Sequence, residues 1–294
     1  MLEEILLVRH GQSKSNIREE SPHSHGDHAV GLTDFGVTQA KAVGASFAPI
    51  VHDPRTLLYC SPYTRTRETM RSLLDGAYEN TSPKPSRTVY EDPRLREVEH
   101  GYGTFEDCER QENLRRRHGW FYYRFLGGES PADCYDRCST FIDSMFRQVE
   151  RKSASRVLIV SHGLTIRCLV MRLLHLSVED FDSMANPENA SVVRVVRDTW
   201  MTNPVFERGS WSVHDMKLRS DEQKREHCFH ATGLGTWISN AICREEKCCH
   251  CGTGRSVVDE PEVDVTHGPH VNVTVPKTRI VMPPTEIVCI PKPR

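Results

Sequence analysis

Over the first two thirds of the chain, short apolar runs alternate with longer stretches in which apolar residues recur at helical spacing. The short runs, at residues 5–8, 56–60, 87–90, 157–161 and 191–196, are rich in valine, isoleucine and leucine and read as strands. Val157-Leu158-Ile159-Val160 is apolar at every position, as suits a central strand covered on both faces. Between the strands, residues 33–47 carry Phe35, Ala40, Val43 and Phe47 on one predicted stripe. Residues 131–149 carry Tyr135, Phe141, Ile142, Met145, Phe146 and Val149, with Pro131 near the start, and residues 164–176 form a third helix pattern. Strands alternating with helices predict an α/β fold, a three-layer α/β/α sandwich around a mostly parallel sheet.

The pattern stops near residue 197. Eight of the 17 prolines and six of the 11 cysteines lie beyond it, and no periodicity is sustained there. The sequence thus predicts a catalytic domain over 1–200 and a Pro/Cys-rich tail over 201–294, largely irregular, with one strand returning to the sheet around 211–216.

Composition narrows the partners. With 38 basic against 40 acidic side chains, a formal charge of −2, the chain has no field to draw in a polyanion, so nucleic acid is not an expected partner. No window reaches the roughly 20 apolar residues of a transmembrane helix. The first apolar run follows two glutamates and is too short for a signal peptide, so a cytoplasmic location is expected. Cys60, Cys108, Cys134, Cys138 and Cys168 are scattered without a framework spacing and read as reduced thiols.

The candidate chemistry sits at strand ends, where open α/β sheets bind ligands. Arg9-His10-Gly11-Gln12 follows the first strand, and Ser161-His162-Gly163 follows the strand at 157–160. The stretch from Ser61 to Thr69 begins where the second strand ends and opens a helix, offering Arg65 and a helix N-terminus to an anion. Asp92-Pro93-Arg94-Leu95-Arg96-Glu97 then delivers a carboxylate. Two histidines, two arginines and a glutamate converging on one sheet edge make a phosphate pocket with a nucleophile and a proton donor.

In this order the motifs resemble those of the histidine phosphatase superfamily, the phosphoglycerate mutase-like fold, across residues 4–197. Ser13 and Asn16, the helix start Leu32-Thr33-x-x-Gly36-x-x-Gln39-Ala40, Gly127-Gly128-Glu129-Ser130 and Asn189-Ala190-Ser191 add to the likeness. The stretches 90–97, 122–125 and 128–137 resemble the plant and fungal phosphoglycerate mutase-like broad-range acid phosphatases more than the glycolytic mutases. The resemblance implies a metal-independent phosphatase without an organic cofactor, acting on a small phosphorylated substrate. It implies catalytic roles for His10, Glu97, His162, Arg9 and Arg65, and substrate binding by Arg9, Asn16, Arg65, His162 and Gly163. Chemistry agrees, because a neutral imidazole held in one tautomer by a carbonyl, here that of Gly11, attacks phosphorus, and guanidinium forks clamp its oxygens. His162 is expected to bind best when protonated. Glu99 competes with Glu97 on spacing alone, and the family pattern favours Glu97. Gln12 stands where the family commonly has glutamate.

Other residues admit plainer readings. Glu129 is either a helix-end acid ahead of the Ser130-Pro131 cap or a group beside the substrate. His23, His25 and His28 read as solvated loop histidines with no metal. Arg115, Arg116 and Arg117 read as a wet helix face, and together with Tyr122, Tyr123 and Arg124 as specificity candidates. The tail cluster Cys248-Cys249-His250-Cys251, with Cys243, His227, Cys228 and His230, is open to zinc binding, to acylation as a lipid anchor or to a protein partner, and reads most simply as a reduced, disordered segment. Two other functions stay open: a bisphosphate-dependent phosphoglycerate mutase, and a weakly active phosphate-binding scaffold.

Overall fold

The computed structural model describes residues 1–17, 26–101, 110–111, 114–115, 118–197, 203–220 and 223. Cys108 and the cysteine and histidine cluster of the expected tail lie outside the described residues. In chain order the elements are β1 (Glu4–Arg9), α1 (Asp34–Ser46), α2 (Ala48–His52), β2 (Thr56–Cys60), α3 (Thr64–Ala77), β3 (Val89–Glu91), α4 (Pro131–Lys152), β4 (Arg156–Ser161), α5 (Gly163–Leu174), α6 (Val178–Ser183), β5 (Val192–Arg197), β6 (Phe206–Arg208) and β7 (Trp211–His214). Single 3-10 turns cover Asp27–Ala29 and Pro93–Leu95.

One sheet of seven strands runs in the order β3-β2-β4-β1-β5-β7-β6. The first four are parallel. From β5 onward the neighbours alternate in direction, β5 lying antiparallel to β1. Two strands thus come from beyond residue 200, and β7 occupies the stretch read as a returning strand.

The unbroken apolar runs follow from burial on both faces. Ile5, Leu7, Val157 and Ile159 pack with Phe141, Ile142 and Met145 of α4 and Ile166, Leu169 and Val170 of α5. Their neighbours Leu6, Val8, Leu158 and Val160 face the other way, onto Met70, Leu73 and Ala77 of α3. Each such side chain contributes about 1.5–3 kcal/mol by leaving water.

Three of the four residues of the expected stripe face the core, Ala40 buried and Val43 and Phe47 packed against it, and Phe35 does not. Phe35 is 58% exposed, and the buried positions are Gly36, Ala40 and Gly44. The cause is close helix contact, in which a Cβ on Gly44 would fall 1.9 Å from the Leu73 carbonyl oxygen and one on Gly76 2.1 Å from that of Lys41. Backbones that near leave no room for a side chain at Gly44, so the part of α1 closest to α3 carries no hydrophobic signal.

Candidate active site

Because β1, β2 and β4 are parallel, their carboxyl ends meet at one edge, where backbone hydrogen bonds lock the following loops together. His10 N–H donates to Ser161 O at 3.0 Å and Ser61 N–H to Val160 O at 3.0 Å. The antiparallel return into β5 brings a third loop alongside, so that Arg9 N–H donates to Ser191 O at 3.1 Å and Ala190 N–H to His10 O at 3.1 Å.

His10 is buried at the centre of this edge. Its Nδ1 lies 2.8 Å from the Gly11 carbonyl oxygen. Burial, with the positive charges of Arg65 and Arg9, holds the ring well below the usual imidazole pKa, against a smaller opposing effect of the Gly11 contact. A neutral ring facing a carbonyl through Nδ1 carries its proton there and leaves the Nε2 lone pair free. The loop itself is pinned. Gly11 N–H donates to Thr69 Oγ1 at 3.0 Å, and the Asn189 amide Nδ2 lies 3.2 Å from His10 O, 3.3 Å from Gly11 O and 3.0 Å from Asn16 Oδ1. Gln12 reaches the first turn of α1, its Oε1 accepting from Thr33 Oγ1 at 3.0 Å and its N–H donating to Gln39 Oε1 at 2.9 Å.

The two arginines are each anchored by a terminal nitrogen. Arg9 Nη1 donates to Pro187 O at 2.6 Å, while its buried Nε has no partner. Burial lowers the Arg9 pKa from the guanidinium value, opposed by the Glu97 carboxylate and assisted by Arg65. Arg65, only 4% exposed, gives Nη1 to Asp27 O at 2.6 Å and to Asp27 Oδ1 at 2.9 Å, and Nη2 to Asp27 Oδ2 at 2.8 Å. Its guanidinium carbon lies 5.0 Å from the centre of the Tyr63 ring.

His162 is fully buried, with its ring centre 5.3 Å from that of His10. Its Nε2 lies 2.8 Å from Ser61 Oγ. Burial first, then Arg65, His10, Arg137 and Arg9, push its pKa well below the imidazole value. Burial thus favours the neutral form of the ring, whereas the expectation from sequence concerned the form that best meets a bound phosphate. Gly163 is the buried first residue of α5, against the Asn186 side chain.

Glu97 meets the same helix N-terminus. Its Oε1 accepts from Val98 N–H at 3.0 Å and lies 3.2 Å from Thr165 Oγ1, and Leu164 N–H lies 3.5 Å from Oε2. Thr165 Oγ1 also donates to the Arg96 carbonyl at 2.7 Å, and Ser161 Oγ to that of Leu95 at 2.8 Å, so β4 and α5 hold the segment bearing the carboxylate. Glu129 braces the other side. Its carboxylate pairs with Arg96 and with Arg137 at 3.1 Å, and its N–H donates to Glu99 O at 2.8 Å. The helix cap is Ser130, in a capping box with Asp133, so Glu129 is an ion-pair hub and not a cap.

The remaining candidates scatter. Arg124 pairs with Asp133 on the exterior. Arg115 is buried with its guanidinium 4.1 Å from the centre of the Trp120 ring, not on a wet face. His28 approaches Tyr63, with ring centres 6.5 Å apart. His23, His25, Arg116 and Arg117 lie outside the described residues. Asp27, Ser61, Thr69, Thr165 and Asn189 join the site without having been assigned to it from sequence. Among the described residues, no group of three or more histidine, cysteine or carboxylate side chains is placed to hold a metal ion, and no helix is long and apolar enough to cross a membrane.

The family model of the histidine phosphatase superfamily (branch 1) matches residues 5–205. The chain belongs to this superfamily. Among its relatives, this histidine phosphatase is 36% identical over 204 residues to the phosphoglycerate mutase-like protein AT74 of Arabidopsis thaliana, a match covering 64% of the chain and 63% of AT74. The match thus spans less than two thirds of that relative's length. It is 25% identical over 281 residues to the broad-range acid phosphatase DET1 of Saccharomyces cerevisiae, covering 64% of the chain and 84% of DET1. The fold is shared with a mycobacterial glucosyl-3-phosphoglycerate phosphatase solved with VO3, at a TM-score of 0.53 and 24% identity over 74% of this chain and 98% of that one. These likenesses agree with the motif resemblance to phosphoglycerate mutase-like proteins and broad-range acid phosphatases.

Proposed function

We propose that this histidine phosphatase is a phosphomonoesterase that works through a phosphohistidine on His10, with Glu97 as the proton donor. The observation that carries the reading is the contact of His10 Nδ1 with the Gly11 carbonyl at 2.8 Å in a buried ring held neutral. It aims a free Nε2 lone pair out of the loop. Attack forms the N–P bond and breaks the ester P–O bond, and Glu97 gives its proton to the leaving alkoxide. The resulting carboxylate then takes a proton from water, whose oxygen displaces Nε2 from phosphorus. Inorganic phosphate leaves, and both groups return to their starting forms.

Arg9 and Arg65 meet the spread charge of the phosphoryl oxygens. The buried, unpartnered Arg9 Nε supports this reading, since an orphaned donor costs about 1–3 kcal/mol until an acceptor arrives. A dianion favours the protonated form of His162, which then adds a donor. Asn16 has its Oδ1 occupied by Ser13 and Asn189, which turns its amide Nδ2 to the role of neutral donor. The α5 N-terminus at Gly163 adds its dipole. No step calls for a metal or an organic cofactor. The substrate is a small phosphomonoester, in keeping with the relative named as an acid phosphatase.

The test is release of inorganic phosphate from a panel of phosphomonoesters between pH 4.5 and 8 without added bisphosphate, beside His10→Ala. Turnover abolished by His10→Ala, with acid-labile phosphate trapped on the wild type, is the expected result. Phosphoryl exchange that needs a bisphosphate and releases no phosphate would overturn it in favour of a mutase.

A further inference from the structure

The guanidinium of Arg65 is not free to take a phosphate in the way its sequence position suggests. Its terminal edge, Nη1 and Nη2, is filled by both carboxylate oxygens of Asp27, and Nη1 also meets the Asp27 carbonyl. What the fork keeps for a substrate is its side-on edge, Nε with the second proton of Nη2. Arg9 has the same arrangement, with Nη1 fixed on the Pro187 carbonyl and Nε open and buried. Both guanidinium groups are thus anchored through Nη1, Arg9 on a carbonyl and Arg65, with Nη2 as well, on a carboxylate.

Asp27 is itself firmly placed. It begins a 3-10 turn, Asp27–Ala29, whose continuation is fastened at three points. Lys14 N–H donates to Gly31 O at 3.0 Å, Ser13 and Leu32 form a β-bridge, and Leu32 N–H donates to Glu68 Oε2 at 2.7 Å. Glu68 and Arg65 lie on successive turns of α3. The segment is thus tied to one helix at both ends, by Asp27 onto Arg65 and by Leu32 onto Glu68, while its Gly31-Leu32 end is also tied to the loop that follows His10. Tyr63 closes the remaining freedom by packing its ring against the guanidinium.

We propose that Asp27 is a positioning residue of the phosphate site, orienting Arg65 so that its Nε and Nη2 edge meets a phosphoryl oxygen; this rests on reading the site as a phosphoryl pocket. An arginine at the end of a flexible stem loses much of its value when its fork can rotate, and a bidentate carboxylate removes that rotation. The opposite role, a carboxylate that occupies the fork until phosphate displaces it, differs in the sign of its effect.

The experiment measures kcat and KM for a phosphomonoester, and the affinity for inorganic phosphate by calorimetry, in the wild type, Asp27→Ala, Asp27→Glu, Arg65→Lys and the double variant Asp27→Ala with Arg65→Lys. Thermal denaturation is run on each. The expected result is a fall in kcat of about 10- to 100-fold and phosphate binding weakened about 5-fold in Asp27→Ala, with partial recovery in Asp27→Glu. In the Arg65→Lys background, removal of Asp27 has little further effect, because the group it orients is gone. A merely structural role would give additive losses that track melting temperature. Unchanged or tighter phosphate binding in Asp27→Ala, with kcat maintained, would overturn the proposal. A wild type that binds phosphate but never turns over an ester would sink the phosphatase reading, leaving the effect on phosphate affinity to decide the role of Asp27.

Discussion

Ser61 Oγ and His162 Nε2, separated by 101 residues of sequence, lie 2.8 Å apart and join the end of β2 to the end of β4 beneath the site. Ser61→Ala leaves that nitrogen of a fully buried ring without a partner. The expected cost is about 1–2 kcal/mol of stability, measured by urea unfolding. A kcat reduced several-fold is expected with it, as His162 loses its orientation. Unchanged stability and kcat would mean that the contact does not hold the ring.

Asn189 plays the same part for the loop that carries His10. Its one amide group meets the carbonyls of His10 and Gly11 and the side chain of Asn16. Asn189→Ala is expected to lower kcat about 10- to 100-fold with little change in KM, since aim and not substrate affinity is lost. Asn189→Asp, which turns a carboxylate toward carbonyl oxygens, should be worse in both activity and melting temperature.

The strands were legible because burial on both faces writes an unbroken apolar run, and the ends of β1 and β4 were legible because each delivers a histidine and glycine step. The face of α1 was legible at Ala40, Val43 and Phe47 but not at its contact with α3, which glycines make, and Phe35 misled because it is exposed. Ser61 and Asn189 stood in stretches already singled out, but their contacts, like those of Asp27 and Thr165, were hidden for another reason: each is an ordinary polar residue whose partner lies far away in sequence. Glu97 and Glu99 could not be separated by alternation; the structure adds only that Thr165, at the start of α5, meets the Glu97 carboxylate at 3.2 Å.

Two buried neutral imidazoles make stability depend on pH. His10 and His162 are both held well below the ordinary value of 6.5, chiefly by burial. As pH falls through that value the unfolded chain binds protons on these residues and the folded protein does not. The unfolded state then binds more protons, so stability rises with pH across this window and falls on acidification. The melting temperature of the wild type is expected to drop between pH 7.5 and 5.5, and to drop less in His10→Gln. An equal drop in that variant would show that His10 contributes nothing to the slope.

The close contact of α1 with α3 gives a sharp contrast between two positions on one helix. Gly44→Ala would put a methyl group 1.9 Å from the Leu73 carbonyl oxygen, which forces the helices apart at an expected cost of about 1–3 kcal/mol or more. Phe35→Ser, on the exposed side, should change stability by no more than about 0.5 kcal/mol. Chemical denaturation of both variants decides the matter.

Glu129 braces the segment that carries Glu97. Glu129→Gln leaves Arg137, nine-tenths buried, without its counter-charge, and breaking such a pair costs about 3–5 kcal/mol. At temperatures where the variant remains folded, kcat should fall more than KM rises, because Glu97 loses its support. A variant with lowered melting temperature but unchanged kcat would confine Glu129 to a structural role.

β1 leaves the ribosome well ahead of the strands that flank it, β4 and β5, which begin only at Arg156 and Val192. The carbonyl of His10 waits for an amide 179 positions downstream. During synthesis the chain therefore carries His10 long before it carries the frame that holds it, and an apolar strand stays without neighbours for most of that interval. The last parallel and first antiparallel partners of β1 close late, so a nascent chain halted before Asn189 holds the His10 loop without the amide that fixes its carbonyls.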